Sequence, residues 1–218
     1  ELYKALSQGL HISLKETQIK RGGIFLKNGE PLAITIEGFS LYALPSKIKN
    51  QEEVAEILSK IIDLDKNIIL EKLKNSNYYL LIKNKLNQQE VEQLNNLKLE
   101  GIYILKENQR YYPQQTLASP VVGFLGADKK GQYGLEEFLN DILEEGSDLI
   151  LTLDYNIQFK AERLLEKARE DLEIESGQII VMEPQTGRIL ALAHFPNFDP
   201  NQYEKYAKEG NLKIFKNS

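Results

Sequence analysis

The hydrophobic pattern of residues 46–105 alternates between helical and strand-like spacing, and this alternation restricts the chain to folds that mix helices with sheet. Asn50, Asp65 and Asn87 each stand where a helix N-cap is expected, and Glu follows three residues after the first and the third of them. Apolar residues recur at helical spacing after the first cap, at Val54, Ile57, Leu58, Ile61 and Ile62. Two short apolar runs predict strands, at 78–82 and 101–105. We therefore predict a small unit of three helices and two strands.

The segments on either side of this unit predict β-structure and turns. Residues 21–36 predict a strand, a tight turn at Asn28-Gly29 and a second strand. Residues 110–126 predict an irregular, Pro-containing stretch that ends in a short strand. Residues 131–143 predict a Gly-rich turn that leads into a helix, with one apolar face made of Leu135, Phe138, Leu139 and Ile142. Residues 144–147 are the predicted linker to the rest of the chain.

The last third of the chain predicts a long helix followed by a hairpin. A strand at 149–153 leads to Asp154, which is placed to cap the helix. Its predicted apolar stripe consists of Ile157, Ala161, Leu164, Leu165, Ala168 and Leu172. Apolar runs at 178–182 and 188–193 flank a turn at 183–187 and predict an antiparallel hairpin. The whole pattern indicates the α+β class.

Composition excludes several classes of function. A net charge of -5 argues against a nucleic-acid binder and against strong attraction to anionic lipid. The absence of Cys excludes disulfides, thiolate metal sites and a cysteine nucleophile. The two histidines, His11 and His194, are far apart in sequence, which argues against a zinc cluster and against a serine triad. We interpret His194 as structural.

The beginning of the chain bears on how the protein is held in the cell. The sequence has no apolar run of roughly 18 residues, the length that a membrane-crossing helix needs. It starts at Glu1 rather than Met, so we expect a preceding segment, for which a membrane anchor is one candidate. Leu2, Leu6, Leu10 and Leu14 recur every four residues, as in a helix or a stalk.

Four stretches of the chain form a recognisable series. The first is Arg21-Gly22-Gly23-Ile24 with Asn28-Gly29. The second runs from Arg110-Tyr111-Tyr112-Pro113 to Gly126, and the third is Gly134-Leu135-Glu136. The fourth contains four pieces, at 151–158, 161–162, 176–187 and 198–201. In this order and spacing they resemble the class B penicillin-binding proteins, which are membrane-anchored transpeptidases that cross-link bacterial peptidoglycan.

The chain departs from the family pattern at two places. Leu26-Lys27 stands where the first stretch of the family usually has Asp-Arg, and we expect this to alter local turn packing but not chemistry. Gln114-Gln115 and Ser119-Pro120 stand where the second stretch often has Gly and His, which leaves any role of those two residues in doubt.

The resemblance implies an architecture with two parts. Residues 1–146 would form an elongated, non-catalytic pedestal of the dimerisation type, with a small head inserted at about 46–105. Residues 147–218 would form the truncated beginning of the transpeptidase domain. We expect Arg21 and Glu136, which lie in two glycine-flanked turns, to meet as a charge-assisted pair.

The resemblance also implies the reaction and the surroundings of the parent protein. The family transfers acyl groups from stem peptides ending in D-Ala-D-Ala to a serine, is inhibited by β-lactams and uses no metal or organic cofactor. The pedestal is expected to contact a glycan polymerase and other cell-wall or divisome membrane proteins. The expected location is the bacterial cytoplasmic membrane, with a single-pass anchor and the folded part facing the periplasm or cell exterior. The pedestal slightly favours a division-type parent over an elongation-type parent.

The resemblance places the nucleophilic Ser and its Lys beyond Ser218, so we expect no catalytic residue within the chain. Such enzymes need Ser and Lys one helical turn apart, with Ser-x-Asn and Lys-Thr-Gly elements. The only Ser-x-x-Lys is Ser46-Lys47-Ile48-Lys49, which precedes the first predicted helix and has no companion elements. Gln185-Thr186-Gly187 lacks the required cation and is interpreted as a hairpin turn.

The chain as given is therefore expected to be inactive. Two alternatives remain open from the sequence. One is a non-enzymatic scaffold or binding module with the pedestal fold, and the other is a β-lactam-sensing receptor or penicillin-resistant relative.

Overall fold

The computed structural model describes residues 19–208 and 212–215. Two sequence expectations fall outside the described residues: the amphipathic pattern at Leu2–Leu14, and Ser218, beyond which the catalytic Ser and Lys are expected. The position of these two catalytic residues therefore stays a prediction.

Long-range contacts divide the described chain into unit 1, residues 37–109, and unit 2, residues 19–36 together with 110–208 and 212–215. The strands of the described residues are β1 (Ile24–Phe25), β2 (Pro31–Ala43), β3 (Leu80–Leu86), β4 (Ile102–Tyr111), β5 (Phe124–Leu125), β6 (Gly131–Gln132), β7 (Leu149–Ile150), β8 (Gly177–Met182) and β9 (Ile189–Phe195). The helices are α1 (Gln51–Ile62), α2 (Lys66–Lys74), α3 (Gln88–Leu97), α4 (Ser119–Val122), α5 (Gly134–Phe138), α6 (Asn140–Glu144), α7 (Tyr155–Leu172) and α8 (Tyr203–Lys208).

Unit 1 forms largely as its sequence predicts. The side chain of Asn50 accepts from the amide of Glu53 at the start of α1, and Asp65 caps α2 in the same way. Asn87 and Glu90 form a complete capping box at the start of α3. The three predicted helices are confirmed. Their apolar faces and the strands bury one core, made of Leu41, Ala43, Ile48, Val54, Ala55, Leu58, Ile62, Ile69, Leu73, Ile82, Leu86 and Leu94.

The strands of unit 1 differ from the prediction in their bounds. The strand expected at 78–82 is β3, at Leu80–Leu86, and it pairs antiparallel with β2. The strand expected at 101–105 is β4, which extends to Tyr111. Hydrophobic pattern alone ended these strands too early because their second halves carry polar residues that still pair in the sheet.

Unit 2 begins with the predicted hairpin. β1 pairs antiparallel with β2, with Ile24 opposite Ala33, and pairs parallel with β7, with Ile24 opposite Leu149. β5 and β6 form a second antiparallel pair. The predicted hairpin of β8 and β9 is confirmed, with Gly187 at φ 74° in its turn, and α7 packs on it.

The segment expected as a linker, residues 144–147, is a tight turn within unit 2. α6 ends at Glu144, and Gly146 takes φ 87° before the chain enters β7. The backbone of Ser147 then passes so close to Gly22 that a Cβ atom there would lie 1.9 Å from the Ser147 oxygen. Asp148 Oδ1 accepts a hydrogen bond of 2.6 Å from the amide of Gly23. The glycines of the first stretch therefore allow β1 and the strand after the turn to lie side by side.

Two helices of unit 2 bury different faces from those predicted. The helix expected after the Gly-rich turn within 131–143 is two short helices, α5 and α6, and Phe138 on its expected apolar face is 82% exposed. The reason is that Glu136, rather than an apolar residue, turns inward to meet two arginines. On α7, Leu164 and Leu172 of the predicted stripe are 61% and 72% exposed, because the hairpin covers only the narrower stripe of Gln158, Ala161 and Leu165.

None of the helices in the described part of the chain combines the length and apolar character that crossing a bilayer requires.

Candidate functional site: a buried charge cluster and a clamped loop

The most unusual feature of unit 2 is a carboxylate buried between two guanidinium groups. Glu136 is fully buried. Arg21 Nε lies 2.8 Å from Glu136 Oε2, and Arg110 Nε lies 2.7 Å from Glu136 Oε1. Arg21 Nη2 also donates to the backbone oxygen of Glu136 at 3.0 Å. The ion pair predicted between Arg21 and Glu136 is therefore present, and a second arginine shares the same carboxylate.

The Nη1 atoms of the two arginines bind neighbouring segments, whereas the buried Arg110 Nη2 has no hydrogen-bond partner among the described residues. Arg110 Nη1 donates to the Gly22 oxygen at 2.7 Å, which joins β4 to the segment before β1. Arg21 Nη1 donates to Asn140 Oδ1 at 3.1 Å. We call Arg21, Arg110 and Glu136 the charge cluster. Because burying an ion without its partner costs several kcal/mol, roughly 3–5, this geometry holds three distant parts of the sequence together.

Tyr112 connects the charge cluster to the chain that follows it. Its hydroxyl donates to Glu136 Oε1 at 3.3 Å and accepts from the amide of Leu125 at 2.7 Å. Burial raises the pKa of Tyr112 well above its usual value, and the negative charge of Glu136 adds to this effect. The phenol therefore stays protonated and remains a donor to Glu136.

The backbone of Tyr112 is held by a residue 89 positions later. Asn201 Oδ1 accepts from the Tyr112 amide at 3.1 Å, and Asn201 Nδ2 donates to the Tyr112 oxygen at 2.9 Å. The Asn201 side chain is itself oriented by Asp199 Oδ1, which accepts from Asn201 Nδ2 at 2.9 Å. One amide side chain thus satisfies both polar groups of one peptide residue, much as a paired strand would.

Two polar side chains of α7 hold other parts of unit 2. Gln158 is fully buried, accepts from the Leu192 amide at 2.8 Å and donates to the Leu192 oxygen at 3.0 Å. Glu162 Oε1 accepts from the Ala118 amide and from Gln158 Nε2, both at 2.7 Å. Burial raises the pKa of Glu162, and these two hydrogen bonds oppose that shift.

Aromatic rings fill the space beside these contacts. Phe124 stacks on Tyr203 at a centroid distance of 4.4 Å and meets Phe215 edge-on at 4.9 Å. Phe198 is fully buried and lies 4.8 Å from Phe215, also edge-on. Such pairs add roughly 0.5–1.5 kcal/mol each beyond the area that they bury. The residues near 124 and those at 198–215 therefore share one aromatic core.

The structure brings some of the residues in the family-like stretches together and leaves others apart. Arg21, Arg110, Tyr112 and Glu136 meet in or beside the charge cluster, and Gly22 contributes its oxygen to it. Residues placed nearby are Pro113, half-buried where the chain leaves Tyr112, Leu135, packed on the core, and Gly134, at φ 52° before α5. Asn28 and Gly29 form the β1–β2 turn outside the cluster. A functional role for these residues stays a prediction.

Asn201, Gln158 and Glu162 belong to the fourth family-like stretch, but the motif itself does not predict their contacts. Gln158 offered a detectable signal, since a polar residue directly beside the apolar stripe of a helix usually has a buried partner. Asn201 offered none, because its partner is a backbone group far away in sequence.

The residues that imitate catalytic motifs do not form a site. Ser46 lies in a single turn of 3-10 helix at Pro45–Lys47, is exposed, and is followed by Lys49, whose Nζ lies 3.7 Å from Glu100. Gln185-Thr186-Gly187 lies in the β8–β9 turn. His194 Nδ1 lies 2.9 Å from the Pro196 oxygen, and the structural role of His194 stays a prediction. Within residues 19–208 and 212–215, no three His, Asp or Glu side chains converge as metal ligands would.

Comparison with known proteins gives consistent results. Residues 16–149 match the family described as the Penicillin-binding Protein dimerisation domain. A probable peptidoglycan D,D-transpeptidase PenA of Neisseria meningitidis is 32% identical over 214 residues, covering 84% of this chain and 37% of that protein. A probable peptidoglycan D,D-transpeptidase PbpC of Pseudomonas aeruginosa is 28% identical, covering 87% of this chain and 39% of that protein. The chain therefore spans less than half the length of these relatives.

A solved structure shares the fold. It is a peptidoglycan synthetase from Bifidobacterium adolescentis, with a TM-score of 0.52 and 23% identity, covering 84% of this chain and 43% of that one. At this level of identity the likeness concerns the fold alone.

Proposed function

Because the chain belongs to the class B penicillin-binding proteins, we propose that it is the front portion of a bacterial cell-wall transpeptidase and serves as its pedestal. In this proposal residues 1–146 are the pedestal, with its head at about 46–105, and residues from 147 onward begin the transpeptidase domain. The serine hydroxyl of the parent would attack the carbonyl carbon of the penultimate D-Ala, release the terminal D-Ala and form an ester. An amine of a neighbouring stem peptide would then attack this ester, which forms the cross-link and frees the serine, and β-lactams would acylate the same serine.

The contacts of Tyr112 are the observation that supports the pedestal role. Tyr112 is bound at its hydroxyl to Glu136 and at its backbone to Asn201. In the proposed division Tyr112 and Glu136 belong to the pedestal, and Asn201 belongs to the transpeptidase part. The contacts around Tyr112 would then fix the front of the catalytic domain to its support by hydrogen bonds and a shared core rather than by a flexible linker.

In this proposal the chain takes no chemical part in acyl transfer. Ser46-Lys47-Ile48-Lys49 is its only Ser-x-x-Lys, and neither the exposure of Ser46 nor the contact of Lys49 with Glu100 activates a nucleophile. We therefore assign acyl transfer to the parent and support of the catalytic domain to this chain. The parent would stand on the outer face of the cytoplasmic membrane, where a glycan polymerase and other cell-wall or divisome membrane proteins are its proposed partners.

Labelling with a fluorescent penicillin tests this proposal. The 218-residue chain should show no covalent label on a denaturing gel, and a longer product of the same gene that continues beyond Ser218 through the next Ser-x-x-Lys should show one. Replacement of that serine by Ala is the matched control and should abolish the label. Label on the short chain would contradict the passive role. Absence of label on every longer product would favour a non-enzymatic scaffold instead.

A further inference from the structure

The loop formed by residues 112–119 is held in a conformation that its own sequence does not favour. Gln115 and Ala118 both adopt the left-handed backbone region, at φ 52° and 54°. Residues other than glycine are uncommon there because Cβ approaches the backbone oxygen. Turn hydrogen bonds, such as that from the Gln115 amide to the Tyr112 oxygen at 3.1 Å, define the path of the loop. Contacts from elsewhere must therefore maintain it.

Three such contacts come from much later in the chain. Asn201 holds the peptide groups of Tyr112 at the beginning of the loop. Glu162 accepts from the Ala118 amide near its end, across 44 positions of sequence. The Phe198 amide donates to Ser119 Oγ at 3.3 Å, across 79 positions. The beginning and the end of the loop are thus both fixed by residues of the 155–201 segment.

A displacement of Tyr112 would change the contacts of both its backbone and its side-chain hydroxyl. Its backbone can move only if the two Asn201 hydrogen bonds change, and its buried ring carries the hydroxyl that binds Glu136 Oε1 and the Leu125 amide. The ring has little freedom to compensate, because Tyr112 is only 2% exposed and belongs to the main core of unit 2.

We propose that Asn201 is a positioning residue that couples residues 198–201 to the charge cluster through Tyr112. Loss of the Asn201 hydrogen bonds would weaken the contacts of the Tyr112 hydroxyl. This effect would be indirect, because Asn201 does not bind any of the groups that the hydroxyl binds. This coupling depends only on the described contacts and is independent of whether a longer product of the gene is acylated.

Amide hydrogen exchange of the 218-residue chain, resolved by NMR, tests the coupling. In Asn201→Ala the amide of Leu125, which donates to the Tyr112 hydroxyl, should exchange at least about tenfold faster, equivalent to about 1.4 kcal/mol. Amides of the β8–β9 hairpin, such as that of Val181, should change far less. The control is Gln202→Ala, since the exposed Gln202 side chain bonds only the Asp199 carboxylate among the described contacts. This substitution keeps the backbone bond from the Gln202 amide to the Asp199 oxygen and should leave Leu125 unchanged.

A double-mutant cycle separates coupling from general loss of stability. Tyr112→Phe removes the hydroxyl and leaves the backbone contacts to Asn201 in place. In that background Asn201→Ala should produce no further acceleration at Leu125 beyond about twofold. An equal acceleration in both backgrounds, or an equal rise at Leu125 and Val181, would overturn the proposal. If Asn201→Ala does not fold, Asp199→Ala removes the carboxylate that orients the Asn201 side chain, and it should give a smaller acceleration by the same criteria.

Discussion

The two units of this chain are stabilised in different ways. In unit 1 the helices start at caps whose partners are three residues away, the core is apolar, and Glu56 meets Lys60 and Lys66 at the exposed surface. In unit 2 a fully buried carboxylate meets Arg21 and Arg110, which lie 115 and 26 positions away in sequence. Unit 1 also has a nearly buried acid, Glu90, but its partner Lys83 lies only seven positions away in sequence. The comparison teaches that the buried charges of unit 1 pair locally, whereas those of unit 2 join distant parts of the chain.

The largest expected effect is the loss of the buried carboxylate. Glu136→Ala removes the carboxylate that two desolvated guanidinium groups share and leaves only Glu144, 3.9 Å from Arg21 Nη1, as an ion-pair partner. It should lower the free energy of unfolding of unit 2 by about 3–5 kcal/mol. Urea unfolding followed by circular dichroism measures this loss. Glu56→Gln is the matched control in unit 1 and should have a far smaller effect, because both partners of Glu56 are solvated. Similar losses for the two variants would break the comparison.

A smaller effect is expected from loss of the cap at Asn87, which the sequence predicts most clearly. Asn87→Ala removes the capping box of α3 and should cost about 1 kcal/mol, seen as a lower urea midpoint for amide signals of unit 1. Asn95→Ala, at an exposed position inside the same helix, should be neutral or slightly stabilising because Ala is the better helix former. If the two substitutions behave alike, local capping does not stabilise this unit.

The loop at residues 112–119 departs from the family pattern at Gln115, and this departure leads to a further prediction. Gln115 holds φ 52°, a backbone conformation that glycine adopts without strain, and the family often has Gly in this stretch. Gln115→Gly should therefore stabilise unit 2 by up to about 1 kcal/mol, the relief of strain being reduced by the greater freedom of glycine in the unfolded chain. Thermal unfolding measures it. Gln114→Gly, at a neighbouring residue without positive φ, should instead destabilise.

The smallest effect depends on pH. Burial raises the pKa of Glu162, so the folded state binds a proton more tightly than the unfolded state. The stabilisation from this group is complete below the usual Glu pKa and is lost as the pH rises through the folded value. Glu162→Gln keeps an acceptor for the Ala118 amide and should remove this decline. Plotted against pH over that range, the free energies of unfolding of the wild type and of Glu162→Gln should therefore converge or cross. Parallel plots would contradict the assignment.

The sequence predicted the features whose causes are local. The caps at Asn50, Asp65, Asn87 and Asp154 and the β8–β9 hairpin are present because each depends on residues within a few positions. The family-like stretches also led to the Arg21–Glu136 pair. What the sequence did not predict depends on distant partners. Glu136 turns inward, the helix expected after the Gly-rich turn within 131–143 is two short helices, and no periodicity rule anticipates a buried acid.

The site was predictable in part for the same reason. The family-like motif identifies Arg110 and Tyr112, but only the fold shows that both of them bind Glu136. The side chain of Asn201 binds backbone groups, which every residue possesses, so no sequence pattern identifies Tyr112 as its target.

Unit 2 is organised around the charge cluster, whereas unit 1 has its own apolar core. The most direct test is residue-resolved urea unfolding of Glu136→Gln, which keeps the shape of the side chain and removes its charge. We predict that amide signals from both sides of the cluster, those of Gly23, Tyr112 and Leu125, shift together to a lower midpoint, while signals of α1 stay at the wild-type midpoint. Equal shifts in both units, or an unchanged midpoint in unit 2, would contradict it.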